Sequence, residues 1–198
     1  MGRIKRRCLF RFVLHGKTLL LRFRSLQRIN PIKKPYNEGG GVHFMKKILP
    51  FLVSIGISLG IGGFSAFLTK DSMPLYASVN QPPLSPPGWV FPVVWSILYA
   101  VMGIAAALVW YENGKTFDGT LFLYGLQLVF NFCWPIVFFN FRAFFLAFLW
   151  LLVLAVLILG TTILFYRRKK AAGWLMVPYF LWVCFAGYLN YGVWMLNR

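Results

Sequence analysis

The sequence predicts an all-α membrane protein, a bundle of five transmembrane helices with a proline-rich outer loop between the first two. Three observations lead there. The 198 residues are 59% hydrophobic and 19% aromatic but only 13% charged, whereas soluble domains carry about 25% charged residues. Apolar runs recur at about 48–69, 90–111, 119–140, 144–166 and 174–196, with a mean hydropathy of +0.67 for the whole chain; each run approaches the roughly 20 residues that a bilayer core requires. The connections TKDSMPLYASVNQPPLSPPG, ENGKTFD, NFR and RRKKAAG are short. Backbone in lipid must satisfy its own hydrogen bonds, so the runs are helices, not open strands.

The chain divides into a basic N-terminal extension, 1–44, and a transmembrane domain, 45–198. The extension holds 11 of the 21 Lys and Arg and one of the four acids. Arginines at 11, 22 and 24 break its apolar patches, and none is long enough to span. Its composition fits a basic amphipathic helix on anionic lipid or a transit-like presequence. A third reading is a mis-assigned start: Glu38-Gly39-Gly40-Gly41 has purine-rich codons that can spell a ribosome-binding sequence, and Met45-Lys46-Lys47 then opens an ordinary membrane protein. On that reading translation begins at Met45 and residues 1–44 are disordered or not made.

The net charge of +17 is not the signature of a nucleic-acid partner. Beyond residue 44 the basic residues sit in the connections, where they set orientation. Lys46, Lys47, Lys115, Arg167, Arg168, Lys169 and Lys170 fall on one side, and Lys70, Arg142 and Arg198 on the other. The richer side is expected in the cytoplasm, with the Met45 end. The proline loop and the C-terminus then face outward.

Taken in order, the first span carries Gly56-Ile57-Ser58-Leu59-Gly60, a G-x-x-x-G with Gly62, Gly63 and Ala66 beyond it. Small residues let helices approach closely, either within the bundle or across a dimer face. The loop QPPLSPPGWVFPVVW follows. Each proline fixes its own backbone and restrains the residue before it, so the loop is stiff and suited to capping the bundle, with Tyr76, Trp89 and Phe91 able to point down. In the second span Trp95, Tyr99, Met102 and Ala106 share a face. In the third, Gln127 and Asn131 are four apart, with Trp134 following. In the fifth, Pro178, Trp182, Ala186, Asn190 and Trp194 step by four.

An amide in hydrocarbon must find a partner, so these faces turn inward. Asn131 and Asn190 either bond helix to helix or orient a ligand. Apolar walls with a few polar pins suit a flat hydrophobic molecule. Conventional catalysis has little to work with. No Asp, Glu, Lys, Arg or His lies well inside a span, which argues against proton-coupled transport. No nucleophile–base pair is present. Cys8, Cys133 and Cys184 form no C-x-x-C, and both histidines precede the first span, so no metal site is expected.

The stretches QPPLSPPGWVFPVVWSILYAVMGIA, QLVFNFCWPIVFF and WLMVPYFLWVCFAGYLNYGVWMLN resemble the TspO/MBR family, the tryptophan-rich sensory proteins and translocator proteins, in its Gram-positive, Bacillus-type form. The resemblance runs from Met45 to Arg198. It implies five transmembrane helices in the plasma membrane, commonly as a homodimer. It also implies binding of porphyrins such as protoporphyrin IX and of other lipophilic small molecules, in the manner of a receptor. Some bacterial members promote light- and oxygen-dependent porphyrin breakdown. No cofactor is required, since porphyrin is the ligand or substrate.

By residue match the resemblance implies binding roles for Tyr76, Pro86, Trp95, Asn131, Trp182 and Ala186; Tyr99 and Trp134 join them from the helical stripes. Trp95 and Trp182 are the photochemical candidates. The family's sterol motif is incomplete, because after Leu189 and Tyr191 the next base, Arg198, falls outside the allowed spacing; cholesterol recognition is therefore not expected. The alternatives to a porphyrin-processing receptor are a porphyrin or lipid transporter and a non-catalytic sensor or scaffold acting through a partner.

Overall fold

A computed structural model describes the backbone of residues 13–14, 17–18 and 40–198 except Met73. The chain separates into two units, Met1–Glu38 and Gly39–Arg198. In the first, β1 (Val13–Leu14) and β2 (Lys17–Thr18) form a two-residue antiparallel ladder, Val13 opposite Thr18 and Leu14 opposite Lys17. The remaining readings of the N-terminal extension lie outside the described residues.

The second unit is helical. Its elements are α1 (Gly40–Thr69), α2 (Pro74–Ser78), α3 (Val90–Glu112), α4 (Gly119–Pro135), α5 (Phe144–Arg168) and α6 (Lys170–Leu196). A 3₁₀ turn at Lys70–Ser72 extends α1, and a π-helical turn at Ile136–Asn140 extends α4. Among the described residues five segments are long and apolar enough to cross a membrane: Lys47–Ser72, Val90–Glu112, Gly119–Asn140, Phe144–Arg168 and Lys170–Leu196. These are the five expected spans, and the protein is an integral membrane protein.

Two boundaries differ from expectation. The first helix begins at Gly40, before the apolar run, and the last begins at Lys170. RRKKAAG is therefore not a loop. A helix can continue past its apolar stretch once its residues leave the lipid, and only Lys169 separates α5 from α6, in an extended conformation (φ −146°, ψ 113°). Gly173 makes this tight turn fit. A Cβ there would lie 2.6 Å from the Cα of Tyr166.

Buried Met102, Val109, Leu151, Ile158, Met176 and Val183 anchor the packing of α3, α5 and α6. Against α3, helix α1 is held closely where Gly103 faces Ile55, and a Cβ at Gly103 would lie 2.5 Å from the Ile55 Cα. Gly56, Gly60 and Gly63 meet nothing within 4 Å. The G-x-x-x-G face of α1 is thus not used for packing inside the described bundle; Ser58, Ser65 and Thr69 are the buried side of that helix.

Ion pairs cluster at one end. Lys169 bonds Glu112, and Arg168 bonds Asp118 at 2.9 Å. Asp118 also caps α4, accepting from the backbone N–H groups of Thr120 and Leu121, both at 3.1 Å. Burial works to raise its carboxyl pKa, but the Leu121 N–H, the Thr120 contacts and the Arg168 guanidinium outweigh it and hold it below the ordinary 3.8. A carboxyl depressed on folding stabilises the fold above its unfolded pKa, and that contribution is lost as pH falls through the folded value. Asp118→Ala should therefore cost about 1 kcal/mol at pH 6. Melting curves of mutant and wild type should converge as pH drops below 3.8. A gap that stays constant down to pH 3 would contradict this.

The opposite end is tied by neutral bonds. Asn80 and Asn197 exchange hydrogen bonds: the Asn80 N–H donates to the Asn197 Oδ1 and the Asn197 Nδ2 donates to the Asn80 carbonyl, both at 2.9 Å. The Tyr188 hydroxyl donates to the Pro83 carbonyl at 2.9 Å. Pro82 lies directly on Gly192, with no room for a Cβ between them. The stretch of residues 79–89 is thereby laid along the end of α6.

Candidate functional site

Below that stretch lies a cavity of about 140 Å³. Four helices build it through residues three or four apart, the spacing that puts side chains on one helical face. Gly62, Ser65, Ala66 and Thr69 come from α1; Phe91, Pro92, Trp95 and Tyr99 from α3; Asn131, Trp134 and Pro135 from α4, with Phe138 and Phe139 from its π turn; Ala186, Leu189, Asn190 and Val193 from α6. Tyr76 of α2 closes the loop side, and α5 contributes nothing. Among the described residues no charged side chain lines the wall.

Of the residues singled out from the sequence, Tyr76, Trp95, Tyr99, Asn131, Trp134 and Ala186 meet here. Pro86 and Trp182 stand outside the wall. The Pro86 carbonyl accepts the Tyr76 hydroxyl at 3.4 Å, and so holds the residue that closes the cavity. Burial pushes the Tyr76 phenol above the ordinary 10, with the Ser85 hydroxyl acting the other way, so it stays a neutral donor. Trp182 packs edge-on against Phe91, centroids 6.1 Å apart, and it is Phe91 that lines the cavity. Trp89 does not point down; it is 69% exposed. Met102 and Ala106 are buried in the core instead, and Trp194 lies tilted against Phe145.

Most polar groups of the wall already have protein partners. The Tyr99 hydroxyl donates to the Asn131 Oδ1 at 2.9 Å, the Asn131 Nδ2 to the Tyr179 hydroxyl at 2.7 Å, and Tyr179 to the Gln127 Oε1 at 2.8 Å. This relay ties α3, α4 and α6 together, and every member is buried. Asn190, with its amide oriented to suit both neighbours, donates to the Phe144 carbonyl at 2.9 Å and accepts the Trp134 indole N–H at 3.1 Å. Ser65 donates to the Phe132 carbonyl, and Thr69 to that of Ser65. Both asparagines are thus engaged between helices. Trp95 lies tilted beside Tyr99, centroids 5.6 Å apart, and edge-on to Tyr179; its indole N–H has no partner among the described residues.

The contribution of α1 was the least legible. Its glycines suggested helix contact only, yet Ser58, Gly62, Ser65 and Thr69 recur at intervals of three and four, a small and polar stripe opposite Gly56 and Gly60. Gly62 is there to admit Tyr99, whose ring occupies the space where a Cβ would stand. The π turn after Pro135 was not foreseen; it brings Phe138 and Phe139 to the cavity. Such turns are local departures from α-helix that often mark functional sites.

Fold and site together define a five-span integral membrane protein with an uncharged, aromatic-walled cavity beneath one end. The TspO/MBR family profile matches residues 53–195, and the chain belongs to the TspO/MBR family. Its relatives include the tryptophan-rich protein TspO of Chlorobaculum tepidum, 36% identical over 77% of this chain and 98% of that protein. The translocator protein of Bos taurus is 33% identical over 75% of this chain and 92% of its own length. The tryptophan-rich sensory protein of Cereibacter sphaeroides is 34% identical over 75% and 90%.

Proposed function

We propose that this protein is a membrane receptor for protoporphyrin IX and related flat lipophilic molecules, held in the cavity under residues 79–89. The supporting observation is the wall itself: seven aromatic side chains around an apolar space, with the Trp95 indole N–H as a donor lacking a partner among the described residues. Apolar contact and stacking supply the affinity, and Trp95 orients the ligand's polar edge. Asn131 acts one step back, by fixing Tyr99. Under light, with dioxygen as the oxidant, the excited porphyrin takes an electron from the Trp95 or Trp182 indole and passes it to dioxygen, and the reduced oxygen so formed attacks the porphyrin within the cavity.

Pockets that bury drug-sized ligands measure about 300–1,000 Å³, so a porphyrin enters this cavity of about 140 Å³ only when part of the wall moves. Residues 79–89 belong to no helix, and apart from Val79 and the buried Pro82 they are half-buried or exposed, which makes them the movable part. The excess of positive charge supports a cytoplasmic position for the end bearing Lys47, Lys115, Arg167 and Arg168, and an outer position for residues 79–89. A homodimer across the open Gly56–Gly60 face of α1 completes the reading.

The test is tryptophan fluorescence of the detergent-solubilised protein, titrated with protoporphyrin IX in the dark and followed by absorbance under illumination. Saturable quenching and a new absorbing species are expected. Saturable quenching with only the bleaching of free porphyrin would leave a binder without photochemistry. Absence of saturable quenching would refute the porphyrin reading.

A further inference from the structure

We propose that residues 82–85 dip below the membrane surface, and that Leu84, at the tip of their turn, is anchored among the acyl chains of the leaflet at the C-terminal end of α6. The cover of the cavity is then held by lipid as well as by protein. The inference goes beyond the binding reading and does not depend on it.

The depth follows from contacts with α6. Exposed Trp174 and half-buried Trp194 are 20 residues apart on that helix, about 30 Å at about 1.5 Å per residue, which is the thickness of a bilayer's hydrocarbon core. Tryptophans gather at the two interfaces, so Trp194 marks the boundary at this end. Exposed Trp89, immediately before α3, fits the same belt. Between these two the chain runs downward. Asn80 is bonded to Asn197, beyond the boundary. Pro82 rests on Gly192, about half a turn inside it. The Pro83 carbonyl accepts from Tyr188, whose backbone lies about 9 Å inside. A helical side chain leans toward the helix N-terminus, here deeper into the membrane. The chain turns at Pro83–Leu84 and comes back to α3.

The composition suits that depth. Of residues 82–87 only Leu84 and Ser85 carry a backbone N–H, because the others are prolines. Irregular backbone within the hydrocarbon must be satisfied by protein, and the prolines remove most of the donors that would need it. Their carbonyls are taken. Pro82 accepts from the Ser85 hydroxyl at 2.8 Å, Pro83 from Tyr188 at 2.9 Å, Pro86 from Tyr76 at 3.4 Å and Pro87 from the Val90 N–H at 3.0 Å. No residue from 79 to 89 is charged.

Leu84 itself is the third observation. Its φ of 67° lies in the left-handed region, where a turn of this kind ordinarily places glycine. A leucine stands there instead, and it is 82% exposed. Strain combined with an apolar side chain aimed away from the protein is unfavourable in water; acyl chains around the side chain offset it. Two residues further on, the Pro86 carbonyl holds Tyr76, which closes the cavity. Displacement of Leu84 is thus passed directly to the closing residue, and the cover moves with the leaflet.

The experiment is spin labelling of the full chain in phosphatidylcholine vesicles, with Cys8, Cys133 and Cys184 replaced by alanine. Single nitroxides are attached at Leu84→Cys, at Val156→Cys as the lipid-facing reference and at Lys115→Cys as the water-facing one. Leu84 and Val156 are exposed, so labelling removes no packing contact. Power saturation reads collisions with dioxygen, which concentrates in hydrocarbon, and with a nickel chelate, which stays in water. Since the bilayer core holds no water, the ratio of dioxygen to nickel collisions should be at least about threefold higher at Leu84→Cys than at Lys115→Cys. It should fall short of the ratio at Val156→Cys, as befits a shallow site. A ratio at Leu84→Cys equal to that at Lys115→Cys would overturn the proposal. So would a label shielded from both agents and broadened by a second label, which would put another copy of the chain, and not lipid, over Leu84.

Discussion

Tyr179→Phe should destabilise the bundle by about 1–3 kcal/mol, read as a lower unfolding midpoint in detergent. The hydroxyl removed is the centre of the buried relay: it donates to Gln127 and accepts from Asn131. Gln127 is 0% exposed, and its Nε2 already lacks a partner among the described residues, so the substitution strands the whole amide. In water-soluble proteins each stranded buried group costs about 1–3 kcal/mol. In membranes the mean per bond is about 0.6 kcal/mol, because the unfolded state also finds partners there. The expected range lies between these limits for two lost bonds. Tyr99→Phe strands only the Asn131 Oδ1 and should cost about half as much. Equal losses in the two variants would contradict the relay as drawn.

Trp95→Phe combined with Trp182→Phe should abolish the light-dependent porphyrin product, to below about a tenth of wild type, while dark binding stays within about tenfold. Phenylalanine retains most of the apolar surface and the stacking face. It lacks the indole N–H and the readily oxidised indole ring. The geometry also orders the single variants. Trp95 stands in the cavity wall and Trp182 outside it, against Phe91, so Trp95→Phe alone should remove the larger share. Absorbance of illuminated complexes, scored against free porphyrin, measures this. Undiminished product in the double variant would remove both indoles from the chemistry.

The spans could be read from the sequence because lipid imposes a long apolar run on anything that crosses it. The ends of α1 and α6 could not, since hydropathy marks where lipid stops and not where the helix stops. The residues of the site were legible in proportion to helix geometry. Steps of four overshoot a turn by about 40°, so the stripe from Pro178 to Trp194 winds around α6. Ala186 and Asn190 face the cavity, while Trp182 before them and Trp194 after them turn aside. The partners of Asn131 lie on two other helices; no local pattern names them, and only the packing does. Gly62 read as part of the small-residue face of the first span, but it answers to the Tyr99 ring of α3.

The single residue joining α5 to α6 has a mechanical consequence. With Gly173 pressed on Tyr166 and both Lys169 and Arg168 pinned to acids, α5 and α6 behave as a clamp's fixed jaw. One rod forms a side of the cavity and the other backs it. Any widening then falls to the opposite jaw, where α1 is the least buried of the five crossings and short α2 hangs from its end. The molecule opens, in this sense, from its loosely mounted half, and its stiff half keeps Asn190 and Ala186 in register whatever the size of the guest.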